Sequence, residues 1–194
     1  MSRGNIRVRA AALSDIAELI TLSVDNGVAE HASRRGHRGD TSALGERYAE
    51  LLADPERLVL VAVDEESGGL VGFTVLQEEK VGVLAPTVTL YISHLLVAPT
   101  SRRRGAGRAL LTGAVRHAED RDIDHVVVGV QASARDANRY LARLGFGPLV
   151  VRRVASVSTL RRTLGIVDSI DRVAMRRRRS VRGVLPSRVV GRGA

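Results

Sequence analysis

Between residues 95 and 108 the chain reads Leu-Leu-Val-Ala-Pro-Thr-Ser-Arg-Arg-Arg-Gly-Ala-Gly-Arg: an apolar strand end, a proline turn, then arginines and glycines where a helix opens. Glycine lets backbone approach a ligand closely and takes dihedrals closed to other residues. The first amides of a helix point outward at the positive end of its dipole. An anion belongs at such a place. Arginines beside the turn add charge and forked donors, so a phosphate or pyrophosphate is the natural guest. No Gly-Lys-Ser/Thr follows, and the spacing departs from Gly-x-Gly-x-x-Gly, which sets nucleoside triphosphates and nicotinamides lower in rank.

Two further side chains with usable chemistry lie on the strand that feeds this turn, Tyr91 and His94. An imidazole titrates in the range a base needs. On an ideal strand, however, His94 faces away from Tyr91 and Ser93, and a bulge would be required to turn it. Tyr91 is a poor base near neutral pH, and its phenol suits binding of substrate or a bridging water. Elsewhere, His31 and His37 sit in a polar loop, Glu78 and Glu79 read as a charged strand end, and His117 and His125 flank a helix-to-strand turn. No metal-ligand spacing occurs. With no cysteine in the chain, disulfides, thiolate metal sites and a cysteine nucleophile are excluded together.

Elements must position these groups. Ile6 to Ala11 alternates as a strand, and Ser14 and Asp15 are cap candidates for a helix through Val24. Residues 30–40, with two glycines and no apolar periodicity, form a loop before a helix over 41–52. Strands over 57–64 and 70–77 join across Glu65–Gly69 as a hairpin, and a strand over 87–97 runs into the glycine turn. Then follow a helix over 108–121, a strand over 125–130, a helix over 134–144 and a strand over 149–154. Leu160, Leu164, Val167 and Ile170 recur at helical spacing, which predicts an amphipathic helix over 158–177 with Gly165 as a weak point.

The chain's 194 residues suit one domain, or one domain plus a tail. Its 30 basic and 21 acidic residues give a net charge of +9. Eight arginines and no acid fall between Arg172 and Ala194, leaving 22 basic and 21 acidic residues before them, so the body is close to neutral. Among the basic residues Lys80 is the one lysine, which reads as coding bias as much as selection for guanidinium chemistry. Neither a signal-peptide apolar core nor a membrane-length apolar run is present, and the expected location is the cytoplasm.

Arg102-Arg103-Arg104-Gly105-Ala106-Gly107 resembles the Arg/Gln-x-x-Gly-x-Gly/Ala acetyl-CoA motif of the GNAT superfamily of N-acetyltransferases. Leu95-Leu96-Val97-Ala98-Pro99 resembles that family's strand end and Arg108-Ala109-Leu110-Leu111 its helix start. Downstream, Asn138 to Phe146 looks like the family's helix ending in Leu-Gly-Phe. The resemblance spans residues 6–154. It implies an α/β (α+β) fold, with a mixed, V-shaped central sheet flanked by helices and the cofactor in its opening. It also implies acetyl-CoA as co-substrate, held by Leu95, Leu96 and Val97 along the pantetheine arm and by Arg102, Arg103, Arg104, Gly105, Ala106, Gly107 and Arg108 around the pyrophosphate. Direct attack by an amine would complete the reaction without an acyl-enzyme. The expected organisation is an acetyltransferase domain over 1–156, followed by an amphipathic helix and Arg-rich tail over 157–194.

The family often places an asparagine seven residues before a tyrosine that protonates the thiolate; here those positions hold Ala134 and Leu141, and Tyr91 stands where an acidic residue is common. Tyr140 is one residue off and projects about 100° away around the helix. The catalytic candidates are therefore Tyr91 and His94, and no metal is expected. The acceptor is an amine, small or on a protein. Two other classes compete: an acyl-CoA-binding module without turnover, because of Ala134 and Leu141, and a nucleic-acid binder acting through residues 172–194. A homodimer through the amphipathic helix is a further expectation. Five aromatic residues leave little for base stacking.

Overall fold

A computed structural model describes residues 5–28, 41–82, 86–131, 133–150 and 153–166. The chain divides into two compact units, residues 1–139 and 140–194. In the first, β1 (Ile6–Ala10), α1 (Ile16–Asp25), α2 (Thr41–Ala53), β2 (Arg57–Asp64), β3 (Leu70–Val81), β4 (Thr87–Val97), α3 (Ala106–Glu119) and β5 (Val126–Val128) follow in order. The strands form one mixed sheet, β1-β2-β3-β4-β5, antiparallel through β4 and parallel between β4 and β5. Helix α4 (Arg135–Arg143) crosses the division, and α5 (Val157–Thr163) lies in the second unit. Among the described residues no helix is long and apolar enough to cross a membrane.

The sheet is buried on both faces because its strands carry apolar side chains at both parities. Val59, Val61, Phe73 and Val75 point one way and pack with Leu19 and Leu22 of α1 and Tyr48 of α2. Their neighbours point the other way, toward α3, whose Leu110 and Ala114 are fully buried. Close approach of α3 needs small residues. A Cβ at Gly113 would lie 3.0 Å from the Leu60 side chain, and one at Gly72 3.3 Å from the Leu110 side chain of α3. The Tyr48 hydroxyl is not left unpaired in this core; it bonds to the buried Ser23 hydroxyl.

Asp15 ties β1 to the start of α1. Both of its oxygens take bonds from Arg9, at 2.6 and 2.9 Å, and one also takes the Ala12 amide at 2.8 Å. It therefore closes the turn before α1 instead of capping the helix's own amides. The bonds from Arg9, foremost, hold its carboxyl below the usual carboxylate range against the opposing effect of burial. Because the folded-state pKa is depressed, this contribution is present above the ordinary value near 4 and is lost as pH falls through the depressed one. Asp15→Asn is expected to cost about 1–3 kcal/mol at neutral pH and to flatten the acid limb of stability, as read by urea unfolding from pH 7 down to 3.

Three expectations need correction. The strand over 149–154 is absent from its described residues: Leu149, Val150, Arg153 and Val154 are irregular and exposed. Strand-prone residues become a strand only where a hydrogen-bonding edge receives them, and none of these is paired. Of the helix expected over 158–177, the described part ends at Thr163, and residues 167–177 lie outside the described residues. Gly165 takes φ +64°, its amide returns to Arg162 and that of Ile166 to Arg161, which is a glycine-terminated helix end. Finally, β3 runs four residues further than its apolar run, to Val81, because Thr87–Leu90 of β4 pairs with its charged end. The 30–40 loop with His31 and His37, and the Arg-rich segment 172–194, lie outside the described residues.

Candidate active site

The fourth strand carries the site. Its register with β3 pairs Val75 with His94 and Leu76 with Ile92, so Ser93 is an extra residue, a bulge. One extra residue reverses side-chain parity beyond it. His94 therefore shares a face with Tyr91, the face under α1 and α2, and the opposition expected of an ideal strand is removed. The buried Thr74 hydroxyl donates to the His94 carbonyl at 2.8 Å and anchors the bulge.

Ser93 and His94 open into a cleft of 530 Å³ floored by Phe73 and Val75 and walled by Tyr48 and Leu51 of α2. The imidazole stands at the rim, exposed on its outer side. The surrounding walls still desolvate it enough to lower its pKa below the ordinary value, so it is neutral at pH 7. Its Nδ1 lies 3.2 Å from the Ser93 hydroxyl, and that hydroxyl donates to the Val75 carbonyl at 3.5 Å. In the tautomer whose Nδ1–H donates to that hydroxyl, the free lone pair lies on Nε2.

Pairing between β4 and β5 stops at Ile92–Val128, closed by the Gly129 amide donating to the Ile92 carbonyl at 3.0 Å. From Ser93 to Val97, β4 has no strand partner on that edge among the described residues. The Ala98 amide donates to the Val71 carbonyl, which sets the alternation: Leu95 and Val97 direct their amides and carbonyls away from β3, into the opening. Tyr91 covers the point where the strands part. A Cβ on Gly129 would meet its hydroxyl at 2.5 Å. Gly129→Ala is therefore expected to cost about 1–3 kcal/mol through overpacking. The cost should shrink when Tyr91→Phe removes the oxygen, a coupling read from thermal unfolding of the two single variants and the double variant.

At the far end of the open edge, Pro99–Ser101 makes a tight turn into α3. Arg103 takes φ +64° and Gly105 φ +100°, left-handed positions that curl successive amides around a concavity. The amides of Arg103, Gly105, Ala106, Gly107 and Arg108 find no acceptor among the described residues. Of the arginines, Arg102 donates to the Asn26 side chain at 3.1 Å, and Arg104 reaches the buried Asp64 carboxylate at 3.6 Å. These two side chains brace the turn against α1 and the β2–β3 hairpin. Arg103 and Arg108 have no partner among the described residues and are the ones free for an anion.

The second motif contributes no acid or base. Leu141 is buried, and Asn138 uses its amide to bridge the carbonyls of Gln131 and Ala134, each at 2.9 Å. Gly145, at φ +95°, ends α4 with the Phe146 amide returned to Leu141, so the Leu-Gly-Phe signature is a helix stop. Glu78 is bonded to Arg121 at 2.6 Å, as befits a charged strand end. No cluster of metal-ligating side chains exists among the described residues. Sequence reasoning named a bulge only as the condition for turning His94 and gave it no position, while the Asn26 and Asp64 braces and the Gly129 contact escaped it; of these, a glycine just beyond an apolar strand was the one legible signal.

A mixed sheet that parts beside a bulged strand, with a glycine turn of free amides at the end of the open edge, is the setting in which the family match falls. The chain belongs to the acetyltransferase (GNAT) family, which residues 26–146 match. No curated protein is a significant match. Among solved structures, a tetramutant of a Bacillus halodurans protein is 24% identical with a TM-score of 0.66, covering 78% of this chain and 99% of its own. A ribosomal-protein-alanine N-acetyltransferase from Brucella melitensis is 20% identical over 78% of this chain and 98% of its own, TM-score 0.61. An aminoglycoside acetyltransferase from an uncultured soil metagenomic sample, solved with trehalose, is 18% identical over 78% and 96%, TM-score 0.59. At these identities the likeness is one of fold.

Proposed function

We propose that the protein transfers an acetyl group from acetyl-CoA to a primary amine. One observation carries the reading: the Ser93 bulge sets a neutral imidazole beside the edge where β4 loses its partner, and the anion turn closes the same edge. The donors fit the cofactor. Free amides at Arg103 and Gly105–Arg108, with the Arg103 and Arg108 side chains, would hold a pyrophosphate, and Leu95 and Val97 present the backbone groups that an extended amide-bearing arm pairs with. Leu96 lies between them and packs against the core.

When bound, acetyl-CoA supplies a thioester whose carbonyl carbon an amine can attack. His94 takes a proton from the incoming ammonium at Nε2, with Ser93 keeping the ring in the required tautomer. The amine nitrogen then bonds to the acetyl carbon as the carbon–sulfur bond breaks. Tyr91, at the parting of the strands, is the hydroxyl available to the departing sulfur, in place of the tyrosine that Leu141 replaces. Because Ala134 and Leu141 remove the usual pair, a binding module without turnover is the competing reading. Calorimetric titration with acetyl-CoA, followed by measurement of CoA release with a panel of amines, separates the two. Binding with release upholds transfer, binding with no release on any amine upholds the module, and absence of binding sinks both.

A further inference from the structure

The cleft beside His94 holds a charge pattern that the transfer chemistry does not require. Four charged side chains line it among the described residues, Arg47, Glu50 and Asp54 of α2 and its end, and Arg57 of β2. Two of each sign leave the wall neutral, which gives a polycationic acceptor no net attraction. They are not equivalent. Asp54 is spent on Arg57 Nε at 3.1 Å and on the Glu56 amide at 3.0 Å. Arg47 and Glu50 have no partner among the described residues, and at a spacing of three residues they are neighbours on one face of α2. An adjacent cation and anion above the apolar floor of Phe73 and Val75 match a ligand with an adjacent anion and cation and an apolar body.

We infer that the acceptor is a free α-amino acid with an apolar side chain, its carboxylate on Arg47, its ammonium drawn in by Glu50 and turned toward His94, and its side chain over Phe73 and Val75. This rests on the acetyl-transfer reading above. The proton of the ammonium goes to Nε2 of His94, the nitrogen lone pair forms the bond to the acetyl carbon, and the electrons of the carbon–sulfur bond leave on sulfur, which takes up the second proton that the acylated nitrogen sheds. The product is an N-acetyl amino acid that has lost its positive charge, so Glu50 no longer favours it and the cleft can empty.

The test compares L-leucine, L-methionine and L-phenylalanine with spermidine, an aminoglycoside and L-leucinamide, which keeps the amine and side chain of leucine but lacks the carboxylate. CoA release is followed in the wild type and in Arg47→Met, with acetyl-CoA binding measured on the same preparations. The expected result is that at least one of the three amino acids exceeds spermidine and the aminoglycoside by about tenfold or more in kcat/KM, and that leucine exceeds leucinamide similarly. In Arg47→Met the leucine-to-leucinamide ratio should collapse toward one, through KM, while acetyl-CoA binding is unchanged. Preference for a polyamine or aminoglycoside, or a ratio that survives Arg47→Met, overturns the inference and leaves the transferase reading standing. Failure of acetyl-CoA to bind overturns both.

Discussion

Gly105→Glu is expected to weaken acetyl-CoA binding by about a hundredfold or more while the protein still folds. Gly105 holds φ +100° at the entry to α3, and a Cβ built there meets nothing within 4 Å. Substitution thus acts through backbone strain and through what the new side chain does to the concavity, not through collision with the protein. The strain of a left-handed non-glycine residue is on the order of 1–2 kcal/mol, so Gly105→Ala should lose about tenfold in affinity. Glutamate adds a negative charge at the amides of Ala106 to Arg108, where the pyrophosphate's own charge would lie. Titration calorimetry on the three proteins, with thermal unfolding alongside, checks the ordering. Equal affinities for wild type and Gly105→Glu would remove the turn from the cofactor site.

The second large effect concerns His94. His94→Gln keeps a polar side chain at the bulge but cannot take a proton, and kcat should fall by about 10²–10⁴-fold, the usual range for loss of a general base. The pH dependence gives the sharper reading. Desolvation lowers the imidazole pKa, and the proposed base acts in its neutral form. The activity of the wild type should therefore decline only as pH falls through a value below the ordinary 6.5 or so, and be level above it until another group titrates. In His94→Gln this acid limb should vanish. Retention of both rate and limb by the variant would assign the base elsewhere.

How much of this was legible beforehand differs from element to element. The bounds of β2 and β4 are those expected, since each is a strand bracketed by turn residues. The turn at Gly105 and the helix that follows it were legible too, because glycine spacing and a helix start are local properties. Residues 149–154 have the composition of a strand, yet the described ones, Leu149, Val150, Arg153 and Val154, form none, because pairing is a property of a partner edge and not of the segment. The α5 helix ends at Thr163, just before Gly165, because one left-handed residue that satisfies the end carbonyls outweighs the exposed Leu160 and Leu164.

By itself the sequence determined the order of strands and helices from β1 to α4, the glycine turn before α3, the family resemblance and the absence of cysteine chemistry, since each depends on residues close together in the chain. Tertiary structure alone decided which face His94 takes. A bulge at Ser93 arises from the register between β3 and β4, and register is set by how two strands bury their apolar faces together. Likewise the bracing of Arg102 by Asn26 and of Arg104 by Asp64, and the neutral wall of the cleft, join residues distant in sequence. Local preference can name the parts of a site, whereas their orientation and charge balance follow only once packing has fixed which distant side chains meet.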